Sequence, residues 1–127
     1  MATIKEDYVS FETAKLLKEK GFNECFCSKS YYANEQVDIK HNTDNHFEEI
    51  CLAPTLQMAM KWLREVHKIH IQIWILEGKG YWFDIEKILN AQYKHKSLYS
   101  TGLKDIYFDT YEQACETAIK YSLENLI

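Results

Sequence analysis

Cysteine and histidine are the first residues whose types could do chemistry in this 127-residue chain. Cys25-x-Cys27, His41, His46, Cys51 and His67-x-x-His70 supply the thiolates and imidazoles that hold zinc. Their spacing argues against it. A structural zinc site takes paired ligands two to four residues apart in each half, and no Cys-x-x-Cys is present. His67 and His70 straddle a change from helical to extended pattern, so their rings need not converge. The expectation is no metal and no cofactor, with exposed histidines and reduced, partly buried thiols.

Nucleophilic catalysis fares no better. Neither Gly-x-Ser-x-Gly nor Ser-x-x-Lys occurs, and Cys27 has only Lys29 near it as an activating charge. Glu48 and Glu49 are adjacent, so an extended segment points them apart. Gly78-Lys79-Gly80 places a lysine between glycines, but a strand precedes it and another follows. A hairpin explains that better than a phosphate-binding loop, which needs a following helix. The reading leans away from an enzyme. The alternative is a small enzyme acting on a nucleotide or amide through Cys27, His67 or His70.

Aromatic recognition is the strongest option left. Tyr31, Tyr32, Trp74, Tyr81, Trp82, Tyr93, Tyr99, Tyr107 and Tyr111 are more rings than a core of this size requires. Trp74 and Trp82, placed on the sheet face away from the isoleucines, would form a stacking platform or a dimer contact. Arg64, the only arginine, and Lys61 share the polar side of the helix before them. The expected ligand-binding residues are therefore Trp74, Trp82, Arg64 and Lys61, with a small nucleotide as the ligand they would suit.

The elements that must position these residues centre on Pro54 to Leu76. Leu56, Ala59, Met60, Leu63 and Val66 recur at helical spacing, with Met58 and Trp62 on a flank. Alternation then takes over: Ile69, Ile71, Ile73 and Ile75 point one way and His70, Gln72, Trp74 and Leu76 the other. The four isoleucines read as a core face. Glu77 to Gly80 turns this strand into an antiparallel partner at Tyr81 to Ile85. An N-terminal helix is capped by Ser10 and stopped by Gly21, with Phe22 packing back on Leu17. A last helix starts at Asp109 or Thr110, with Gln113 completing a capping box. Between residues 23 and 53, CSKSYY and QVDIKH read as short strands around Ala33-Asn34-Glu35, His41 to His46 as a loop, and FEEICLA as a further extended piece. Ser97 to Ser100 and Asp105 to Phe108 also read as extended. The fold class is α+β: a small antiparallel β-sheet with three helices packed mainly on one face. Residues 1–127 form a single domain, with 1–8 a loosely held arm.

Composition sets the outer limits. A hydrophobic fraction of 46 % excludes a disordered chain. The net charge of −4 speaks against a nucleic-acid partner, which selects a basic surface. No run approaches the roughly 20 apolar residues that span a bilayer, and MATIKEDYVS lacks the apolar segment of a signal peptide. A cytosolic protein is expected.

Three stretches, VSFETAKLLKEKGFNE (Val9–Glu24), APTLQMAMKWLREVHKIHIQI (Ala53–Ile73) and TYEQACETAIKYSLENLI (Thr110–Ile127), carry a resemblance. The chain resembles a group of small proteins encoded by gut anaerobic bacteria and, often, by their phages and prophages. The pattern from Ala53 to His67 and the final helix are its most specific parts, while residues 25–50 depart in length and composition. The resemblance implies an accessory gene of a mobile element and assigns no catalytic residue. The expected function is thus a non-enzymatic accessory protein that acts by binding, as a homodimer or larger homo-oligomer through exposed aromatics. Counter-defence would follow from sequestering a small nucleotide signal or from occupying a host protein. A metal-stabilised interaction domain is the remaining alternative.

Overall fold

The structure, a computed structural model, describes residues 4–89 and 94–127. Tyr93 and the first three residues of the arm at 1–8 lie outside the described residues. Among the described residues the protein is α+β, with three α-helices and antiparallel sheets. These residues form two three-stranded sheets where one was expected. The physical reason is local pairing: each strand bonds to near neighbours in sequence, and the strands of the first sheet are only three or four residues long. The chain gathers into two compact units, residues 1–56 and 57–127.

In the first unit, α1 (Phe11–Glu19) begins where the Ser10 hydroxyl accepts the Thr13 N–H at 3.2 Å. It ends on Gly21 at φ 97°, where the Gly21 N–H donates to the Lys18 carbonyl and the Phe22 N–H to the Leu17 carbonyl. That is the Schellman pattern, which needs a left-handed residue at this point. The sheet follows in the order β2 (Val37–Ile39), β1 (Lys29–Tyr32), β3 (Glu49–Leu52), all antiparallel, with α1 against β3. Tyr31 and Tyr32 are buried here. Their hydroxyls donate to the carbonyls of Val9 and Ile39, so both rings belong to the core.

The second unit takes most of α2 (Leu56–His67) and all of β4 (Ile69–Leu76), β5 (Gly80–Ile88), β6 (His95–Ser100) and α3 (Tyr111–Asn125). The strands form a meander in the order β4-β5-β6. A short 3₁₀ turn at Gly102–Lys104 precedes Phe108, which bridges back to Tyr81. Asp105 to Phe108 is thus a turn and a single bridge in place of the expected strand. Helix α3 starts on Thr110, whose hydroxyl accepts the Gln113 N–H. The Gln113 side chain reaches back to the N–H of Asp109, one residue before the cap.

Helix α3 packs on β4 and β5 and covers the face that carries Phe83 and Ile85. Two apolar expectations fail there. Val66 is exposed, and the isoleucine face is buried only at its start, with Ile69 enclosed and Ile75 69 % exposed. Ile75 lies beside the hairpin, at the far end of the strand that forms the edge of this sheet.

Candidate ligand-binding face

The opposite face of the second sheet is where the expected residues are tested. Register pairs Trp74 with Trp82, Gln72 with Asp84, and His70 with Glu86, so these side chains share one face. The indoles stack with centroids 5.8 Å apart and planes 20° from parallel. Trp74 Nε1 donates to Asp84 Oδ2 at 3.2 Å, which fixes both the ring and the carboxylate. Trp82 lies against Gly102, where a Cβ would come within 2.5 Å of the ring. Only glycine leaves the indole this room.

Strand β6 completes the face through an irregularity. Asp84 pairs with Ser100 and Ile85 with Tyr99, but Glu86 pairs with Ser97, so Leu98 is the extra residue of a bulge. Plain alternation would put Ser97 and Ser100 on opposite faces. The bulge puts both beside the carboxylates. Tyr99 stays on the α3 side, stacked on Tyr121 at 4.0 Å.

Trp82, Asp84, Glu86, Ser97, Ser100 and Gly102 line a groove of about 530 Å³ together with Leu76, Leu103 and Tyr107. His95 Nδ1 lies 2.6 Å from Glu86 Oε2, and the Tyr107 hydroxyl donates to Asp105. No lysine or arginine is among the described residues lining the groove, though Lys79 reaches the Tyr107 ring at 5.9 Å. Of the four expected residues, Trp74 and Trp82 are brought together and Trp82 lines the groove. Lys61 and Arg64 lie on α2, outside the lining. Sequence reasoning missed Asp84 and Glu86, although alternation along β5 places them on the face of Trp82.

The first unit carries a larger groove, about 600 Å³, lined in part by Lys18, Cys25, Lys40, His41 and Glu49. Lys18, Lys40, His41 and Glu49 there are bonded to the chain itself. Lys18 Nζ donates to the Ile50 carbonyl and Lys40 Nζ to that of Cys25. Glu49 accepts the His41 N–H and lies 3.0 Å from His41 Nδ1, which holds the left-handed His41 at φ 60°. Burial pushes the Glu49 carboxyl up, but hydrogen bonds from Ser30 and His41 outweigh it and leave it below the usual value. This arrangement clamps the 40–48 loop.

The residues of the enzymatic alternative are not poised either. Cys27 is buried and donates to the Lys29 carbonyl at 3.6 Å. Burial pushes the Cys51 thiol up, and the Cys115 thiol to about 11, so both stay protonated near neutrality. His67 packs edge-on against Trp62, whereas His70 faces the open side of β4, beside Glu86. Among the described residues no three His, Cys, Asp or Glu side chains gather to hold a metal, and no helix is long and apolar enough to cross a membrane. Compared with known proteins, the chain matches no family model, no curated protein and no solved structure.

Proposed function

We propose that this protein acts by binding, as a non-enzymatic accessory protein, and that the outward face of its second sheet takes a cationic group of its partner. The observation that supports this reading is the lining of the groove. Trp82 and Tyr107 stand beside Asp84 and Glu86, with no lysine or arginine among the described lining residues. An aromatic face attracts a cation by about 0.5–2 kcal/mol, depending on desolvation. Two carboxylates in a half-enclosed groove add charge-assisted hydrogen bonds. A phosphate would meet like charge there. Of the two expected modes of counter-defence, occupying a host protein through an exposed lysine or arginine therefore suits the groove better than sequestering a nucleotide.

Tryptophan emission reports on the site directly, because Trp74 and Trp82 form part of it. Titration with a short arginine- or lysine-containing peptide is expected to shift the emission and saturate. Asp84→Asn together with Glu86→Gln should weaken the response about tenfold or more, equivalent to roughly 1.4 kcal/mol. ATP or a cyclic dinucleotide should leave the emission unchanged. Saturation by the nucleotides with no response to the peptides would overturn the assignment.

A further inference from the structure

Glu86 is the carboxylate of the groove that the chain itself can neutralise. Strand β5 lies between two others, so Glu86 has a neighbour on each side. On β4 its register partner is His70. On β6 its partner is Ser97, and His95, two residues earlier, brings Nδ1 to 2.6 Å from Glu86 Oε2. Cross-strand partners share a face, as do residues two apart, so both imidazoles stand on the groove side of the sheet. The Glu86 side chain is 20 % exposed and that of His95 61 %. The carboxylate is thus largely covered, while the imidazole against it stays open to protons from water.

An Nδ1–H donates to the carboxylate whether the ring is neutral or charged, so the bond outlasts the titration. What changes is the charge. A neutral ring leaves Glu86 its negative charge, and an imidazolium cancels it at contact distance. His70 adds a second positive charge from β4 when it is protonated. The groove therefore runs from two uncompensated carboxylates, Asp84 and Glu86, to near neutrality.

The other charged groups around this site, among the described residues, have partners or positions elsewhere. Lys68, before β4, donates to the Glu65 carbonyl, Lys79 reaches the Tyr107 ring, and Tyr107 donates to Asp105. Lys87 and its register partner Lys96 lie on the opposite face, where Lys87 donates to the His67 carbonyl. Lys94 alternates to that face as well, and Lys104 lies over the Tyr99 ring there.

We infer that His95, with His70, gates the groove by pH: their protonation withdraws Glu86 from a cationic ligand and their deprotonation returns it. The gate rests on the reading of this groove as a cation site. An imidazolium about 7 Å from the bound cation costs roughly three- to tenfold in affinity at the dielectric of a partly exposed site.

Titration of the intact chain with an end-capped arginine peptide bearing no other ionisable group tests this, read by tryptophan emission. The two conditions are about pH 5.5 and about pH 8, which span the titration of ordinary imidazoles and lie above that of ordinary carboxylates. The dissociation constant should fall about tenfold or more from the lower pH to the higher. His95→Gln keeps an N–H donor for Glu86 without the charge, so binding at the lower pH should tighten about threefold or more. His95→Lys, charged at both, should bind weakly at both. His70→Gln together with His95→Gln should give one constant across the window. His67 packs on Trp62 and shifts the baseline emission with pH, not the constant drawn from the titration. A wild-type constant that does not change with pH overturns the gate and leaves the cation site standing. So does a pH dependence that the double variant retains. No saturation at either pH in any of these proteins removes the cation site, and the gate with it.

Discussion

Gly102 holds the shape of the groove by leaving a space empty. A Cβ there would stand 2.5 Å from Trp82 Cε3 and 2.8 Å from Cδ2, closer than carbon atoms approach. The opposing atoms belong to a ring wedged between this turn and Trp74, so they cannot simply rotate away. Gly102→Ala is expected to destabilise the protein by about 1–3 kcal/mol, the usual cost of overpacking. The near-ultraviolet circular dichroism of the stacked indoles should fall with it. Denaturant unfolding and that spectrum together check the point. An alanine variant of full stability with an unchanged spectrum would show that Trp82 does not rest on this glycine. Sequence alone marks Gly102 as a turn residue and says nothing of the ring above it, because that contact arises from a strand twenty residues earlier.

At the scale of elements, the legible parts were those with a local code. Helix α1 declares both its ends, in Ser10 and in Gly21. No atom lies within 4 Å of a Cβ built on Gly21, so the penalty for a side chain there is conformational only. Gly21→Ala should cost about 1–2 kcal/mol, measured by thermal or urea unfolding. The alternating strand β4, the hairpin after it and the Thr110 cap were equally readable. The bulge in β6 was not, because Leu98 carries no local mark of being the extra residue. Reading Asp84 and Glu86 as a pair needed the face of β5, which period two supplies, but also β6 beside it, which it does not. The isoleucine face was read as wholly buried because periodicity tells which residues share a side. It does not tell how far a covering helix extends. Lys61 and Arg64 were chosen for their charge on a polar helix side, and charge alone does not aim a side chain into a groove.

The pH dependence of stability belongs to the molecule as a whole. Burial, with Lys87 nearby, holds the His67 imidazole below its ordinary value, and its buried Nε2 has no hydrogen-bond partner in the structure. The unfolded chain therefore binds a proton at His67 before the folded one does. Stability from this group is complete above about pH 6.5 and is lost as pH falls from there toward the depressed folded value. Glu49 has the same sign at lower pH: its stabilisation is present above the ordinary carboxylate value and is lost as pH falls through the depressed one. Urea unfolding at pH 7.5 and pH 5.5 should show a lower free energy in acid. His67→Phe should flatten that difference, and an unchanged slope in the variant would remove His67 as its cause. The division into two sheets was not visible in sequence, since alternation in short strands does not name their partners. One junction bears on the molecule's history as well. A single residue, Lys68 at φ 59°, separates the end of α2 from the start of β4. Adding or removing one residue there would exchange the two sides of β4, sending tryptophan and histidine toward α3 and the isoleucines toward the groove. Descendants of this chain cannot change the count at this junction, and a left-handed backbone at Lys68 also limits which residues can replace it.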